Sequence, residues 1–167
     1  DARTQLLQIT RANDQRVELQ FFPYDGEDHG ALARFVLELN ADGWVTRVVL
    51  PVDGASWRFK YEKINDVVCV TEVWTPTGAH EILEYDKDGH FFPAEAHPAL
   101  PRVGRHILRP LFEQPPMETR YSYSDENFLG YGALDRWSDE GEDNLYAVAN
   151  PDFRYVVTAV HWNAGLE

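Results

Sequence analysis

Six histidines, His29, His80, His90, His97, His106 and His161, are the side chains best suited to proton transfer or metal binding near neutral pH. None lies in a helical His pair with a neighbouring glutamate, and none has the spacing of a structural zinc site. His90 and His97, with Asp86 or Asp88, form the densest grouping of donors. Exposed turn histidines are the simpler account, so neither a metal ligand nor a cofactor is expected. The acidic stretches Asp25-Gly-Glu-Asp28 and Asp139-Glu-Gly-Glu-Asp143 offer oxygens, but neither follows the twelve-residue calcium-loop pattern. Ser56, Ser122, Ser124 and Ser138 lie in no Gly-x-Ser-x-Gly elbow, and Gly130-Tyr-Gly132 is too short to cradle a phosphate. Cys69 is the only cysteine, set in the apolar run Val-Val-Cys-Val, which predicts a buried, inert thiol.

The carboxylates are more numerous than any catalytic pattern requires. Glu81 and Glu84 are three apart, so on a strand they point to opposite faces. Glu72 and Trp74 share a face, as in sugar-binding strands, although a core role for Trp74 is the plainer reading. No catalytic residue is assigned. The densest recognition feature is Asp135-Arg-Trp-Ser-Asp-Glu-Gly-Glu-Asp143, in which Trp137 stands among carboxylates. Aromatic side chains anchor interfaces, and flanking charge steers encounter. Asp135, Trp137, Asp139, Glu140, Glu142 and Asp143 are therefore the candidate partner-binding residues.

These side chains must be carried by β-structure. Arg16–Phe22, Arg34–Leu39, Trp57–Tyr61 and Tyr155–Trp162 alternate polar and apolar, and Val67–Trp74 is almost continuously apolar and β-branched. Asp25-Gly26, Asp42-Gly43, Asp53-Gly54 and Asp88-Gly89 read as turns between such runs, because glycine adopts positive φ without steric cost. The expected fold is all-β: an antiparallel meander of about ten or more strands, as a β-sandwich or an open barrel-like sheet, with at most one short helix. Six of the ten prolines fall between Pro93 and Pro116, which argues against a central strand there. That segment reads as a crossover with a short helix at Val103–Glu113. It would join an N-terminal sheet (1–92) to a C-terminal one (117–167) within a single domain, 1–167.

Phe35-Val-Leu-Glu-Leu-Asn-Ala-Asp-Gly43-Trp-Val and Ile82-Leu-Glu-Tyr-Asp-Lys-Asp-Gly89-His-Phe align, and Arg120–Leu129 aligns more loosely, with Asn127 in the glycine's place. Leu83-Glu-Tyr85-Asp86-Lys-Asp-Gly89 resembles the YD-repeat, or RHS-repeat, of β-rich bacterial toxin shells. The resemblance implies a repetitive strand-and-turn protein from a bacterial toxin context. It covers about a fifth of the chain at irregular spacing.

Net charge is -13, from 28 acids and 15 bases among 167 residues. Phosphate backbones and anionic lipids would be repelled, so nucleic acid is not an expected partner, whereas a basic protein is. The surplus is concentrated late: from Met117 onward ten acids face three bases. Arg102, Arg105 and Arg109 form a local basic group expected to dock on neighbouring carboxylates. No apolar run reaches the roughly 20 residues of a membrane span. The chain begins at Asp1, which removal of a secretion signal would explain, as would a shortened chain; the compartment stays open between bacterial periplasm and cytoplasm, with the periplasm favoured. The expected function is non-catalytic protein binding, in its most concrete form an immunity or inhibitor protein occluding a cationic toxin. The alternatives are a hydrolase of sugars or lipids, with His90 or His161 beside two acids, and a structural module of a secreted assembly.

Overall fold

The alternating runs become ten antiparallel strands in the computed structural model, which describes residues 6–23, 30–92, 96–124, 138, 140 and 154–163. In chain order they are β1 (Leu7–Asn13), β2 (Arg16–Phe21), β3 (Ala33–Leu39), β4 (Val45–Val49), β5 (Ser56–Ile64), β6 (Val67–Trp74), β7 (His80–His90), β8 (Leu100–Arg109), β9 (Met117–Tyr123) and β10 (Val157–Asn163). Their order in the sheet is their order in the chain. Of the forms the sequence allows, the one found is a meander in a single sheet that does not close into a barrel. There is no helix among the described residues.

Two units divide the chain: 1–60 with 72–80, and 61–71 with 81–167. In the first, the register sets Arg16 opposite Glu38 and Glu18 opposite Val36. Leu19 opposes Phe35 on the other face. Period 2 thus sorts Arg16, Glu18, Arg34, Glu38 and Arg47 to one face and Val17, Leu19, Phe21, Phe35, Leu37 and Val48 to the other. Phe21 meets Phe35 edge-on at 5.7 Å between centroids, a pairing worth about 1 kcal/mol beyond its buried area.

Turn chemistry accounts for this register. Asn40 Oδ1 accepts from the backbone N–H groups of Asp42 and Trp44, and Gly43 takes φ 84°. Gly54 takes φ 72° between β4 and β5. Two of the four expected Asp-Gly turns, Asp42-Gly43 and Asp53-Gly54, therefore form. The turn expected at Asp88-Gly89 does not, because Gly89 lies inside β7 and lacks a positive φ. A Cβ there would lie 2.5 Å from the Leu100 carbonyl oxygen and 2.8 Å from Arg102 N. Glycine is needed at 89 for close backbone approach rather than for a turn. Asp25-Gly26 lies outside the described residues.

The second unit contains the larger departure. The expected helix at Val103–Glu113 is instead the strand β8, paired with β9 from Arg105↔Arg120 to Leu108↔Met117. Pro101 sits at the second position of that strand and Pro98 and Pro110 lie outside it. The stretch Arg102–Arg109 is free of proline, and within it Arg105–Leu108 pairs with β9. Asn65 and Asp66 turn β5 into β6 with φ 49° and 66°, the double positive φ of a two-residue hairpin. Asn65 Nδ2 also donates to the Lys87 and Ala99 carbonyls at 2.6 and 2.9 Å. Tyr85 OH donates to the Val70 carbonyl at 2.9 Å.

Burial is shallow. Val36 (7% exposed), Cys69 (5%) and Ala99 are the buried hydrophobic residues among those described, and no polar or charged residue is buried. Burial pushes the Cys69 thiol up, as expected of an inert cysteine.

Candidate protein-binding site

On the strands, carboxylates meet bases. Glu18 accepts from Arg16 at 2.8 Å and from Arg34, which together hold it below the usual carboxylate range, Arg34 contributing most. Glu72 binds Lys60 at 2.6 Å and His80 at 2.7 Å and is likewise lowered. In the second unit Arg105 bridges Glu84, at 3.1 Å, and Glu118. Hydrogen bonds from Arg105 and then Arg120 hold Glu118 down to about 2, and its partners raise Arg105. Arg102 reaches Asp86 at 3.2 Å and lies 4.5 Å from the Tyr123 ring centroid. Arg102 and Arg105 thus dock on neighbouring carboxylates as the sequence suggests. The described residues hold 15 acids and 13 bases, so 11 of the 13 surplus negative charges fall outside them.

The described histidines are distributed rather than gathered, and His29 lies outside the described residues. His80 stacks on Trp74 at 4.6 Å, with Arg58 and Lys60 at 5.1 and 5.4 Å from the same ring. Glu72 and Trp74 do share a face, and this cluster occupies it. His106 pairs with Glu81 at 2.9 Å, while Glu84 pairs with Arg105, the next residue along β8; the opposite facing of Glu81 and Glu84 follows from that alternation. His90 packs against Tyr123 and Tyr155, His97 against Phe92, and His161 Nδ1 lies 2.9 Å from Thr119 Oγ1. No group of three or more His, Cys, Asp or Glu among the described residues is placed to hold a metal ion.

Of the expected partner-binding residues, Asp135, Trp137, Asp139, Glu142 and Asp143 lie outside the described residues. Glu140 is exposed, and its N–H donates to Ser138 Oγ at 3.3 Å. The ends of the segment that carries them are fixed. Ser124 N–H donates to the Val156 carbonyl at 2.9 Å, and Val156 N–H to Ser124 Oγ at 2.8 Å. The segment between these two residues, 125–155, holds eight acids and two bases.

Among the described residues β10 is the last strand of the sheet, and every one of its residues is exposed. Register places Val160 opposite Arg120 and Trp162 opposite Glu118, with Trp162 59% exposed. The strand Val-Thr-Ala-Val-His-Trp-Asn contains no Lys, Arg, Asp, Glu or Pro, the residues that usually guard an open edge. β1, at the other edge, carries Arg11. The sequence shows β10 as a strand but not as an edge, since edge position depends on what pairs beside it.

A second exposed feature lies at the opposite end of β10 from the Ser124–Val156 contact. The β8–β9 connection turns at Phe112 and Glu113, both left-handed, with φ 61° and 58°. Left-handed backbone costs an ordinary L-residue about 1–2 kcal/mol. Phe112 is nevertheless 88% exposed, so no burial offsets the strain. The prolines on either side drew attention to this stretch without revealing the turn. No protein family, curated protein or solved structure matches the chain.

Proposed function

We propose that this chain is a non-catalytic protein-binding module that accepts a strand of a basic partner along β10. The observation that carries the proposal is the exposed last strand of the described sheet, which has no Lys, Arg, Asp, Glu or Pro to guard it. Unpaired backbone N–H and C=O groups on such an edge supply affinity to an added strand, and alternate side chains supply selectivity. The acidic stretch 125–155, tethered at the β9–β10 hairpin, supports a basic partner, since surplus charge beside a docking edge accelerates encounter. Occlusion of a cationic toxin is one form of this activity.

Binding kinetics of the partner recovered from source cells test the proposal. Val160→Lys is expected to raise the dissociation rate. Reversal of Asp139, Glu140, Glu142 and Asp143 to Lys is expected to slow association by about tenfold or more at low salt, with a weaker effect at high salt. Unchanged rates in both variants, or an acidic partner, would defeat the reading.

A further inference from the structure

Phe112 combines two features that stability alone does not favour. A two-residue turn with both φ values positive selects Asn, Asp or Gly, as Asn65-Asp66 illustrates in this chain. In the longer β8–β9 connection two successive positive φ values are held by phenylalanine and glutamate. The ring is directed into solvent rather than onto the sheet, and Leu111 and Met117 beside it are exposed as well. Strained backbone that presents an exposed aromatic is characteristic of recognition sites. The tip also lies next to the end of β10, because Met117 pairs with both Leu108 and Asn163. β8 and β10 are therefore two strand spacings apart, about 9.6 Å, and Trp162 belongs to the same end of the sheet.

We infer that Phe112 is a protein-recognition anchor, whose ring enters an apolar pocket on a partner of net positive charge. Charge selects the partner class. Arg109 and Glu113 flank the tip with one charge of each sign, so the local ring is neutral and the net charge of -13 governs approach. That field repels anionic lipid surfaces and attracts basic proteins. The inference goes beyond strand addition at β10 and does not require it, because the anchor lies on a different connection.

The test replaces Phe112 in the full chain with the photoreactive p-benzoyl-phenylalanine and irradiates it in an extract of source cells. The same residue at Leu32, which is 72% exposed in the first unit, serves as the control. The expected result is a basic protein attached from position 112 and not from position 32, with the cross-link in an apolar pocket. Phe112→Asn should weaken binding of that purified protein by about 30-fold while its own melting temperature rises, which separates lost contact from lost folding. Val160→Lys in parallel distinguishes failure of the edge from failure of the anchor. Identical adducts from both positions, undiminished affinity of Phe112→Asn, or sedimentation of the wild-type chain with phosphatidylcholine vesicles would each overturn the inference.

Discussion

Replacing Phe112-Glu113 with Asn-Gly is expected to make this protein more stable. Both residues occupy left-handed backbone, at about 1–2 kcal/mol each for a residue with a β-carbon and no local hydrogen bond of its own. Asparagine tolerates that region, so Phe112→Asn recovers about 1 kcal/mol. Glycine removes the remaining conflict at 113 but gives back roughly 0.5–1 kcal/mol through the freedom of the unfolded chain. Because the ring is 88% exposed, its removal forfeits little burial. The net gain is about 1–2 kcal/mol. At about 2–4 °C per kcal/mol for a chain of this length, the melting temperature should rise by roughly 2–8 °C. Thermal unfolding by circular dichroism reads the shift, and urea titration should show a higher midpoint with unchanged slope. An unaltered or lowered melting temperature would refute the reasoning, since either the strain is absent or the phenylalanine makes contacts in the folded state.

Other substitutions probe the rest of the sheet. Gly89→Ala should destabilise by about 3 kcal/mol, because the added methyl meets the Leu100 carbonyl and Arg102 backbone rather than flexible side-chain ends; urea denaturation measures it. Asn65→Gly should cost about 1–2 kcal/mol even though glycine suits φ 49°, since two carbonyls lose their donor; a stability gain in the same assay would contradict the assigned hydrogen bonds. Glu118 ordinarily titrates near 4.5 and is held at about 2. A carboxylate depressed on folding adds stability that is complete above the unfolded value and disappears as pH falls towards the folded one. Melting temperature should therefore decline between about pH 5 and pH 2, and less steeply in Glu118→Gln; parallel curves for the two proteins would show that the Arg105 and Arg120 contacts do not operate.

What could be read in advance was local. Alternation in Arg34–Leu39 and β-branching in Val67–Trp74 mark strands whatever surrounds them, and Asn40 with Gly43 makes a turn from its own atoms. Gly89 misled because an Asp-Gly pair looks the same whether it turns the chain or lets β8 approach, and the difference lies in Leu100 and Arg102. β8 was obscured by prolines that proved to border its paired stretch rather than interrupt it. Asn65-Asp66 lacked the glycine that signals a tight hairpin and forms one with side-chain amide support. The ion pairs of Arg102 and Arg105 were legible as a tendency, although which carboxylate each meets depended on register. The exposure of β10 and of Phe112 could not be read from residue order, because both depend on what other strands leave uncovered.

The division of charge bears most directly on how such a sheet could recognise a partner. Carboxylates exposed along the strands would repel one another and make a diffuse target. Here cross-strand bases pair with Glu18, Glu38, Glu72, Glu84 and Glu118, and the described residues hold 15 acids against 13 bases. Ion pairs on a partly exposed sheet each contribute little to stability, so their clearest consequence is electrical: the face carries little net field. The surplus belongs to stretches outside the described residues, and the largest of these joins β9 to β10. If that stretch supplies the attraction, and β10, which has no Lys, Arg, Asp or Glu, supplies the attachment, the two are separate. Salt should then act chiefly on the association rate, and substitutions in β10 or at Phe112 chiefly on the dissociation rate. If a charge reversal within 139–143 were found to alter dissociation as strongly as Val160→Lys does, this separation would be wrong, and the acidic stretch would have to form part of the contact itself.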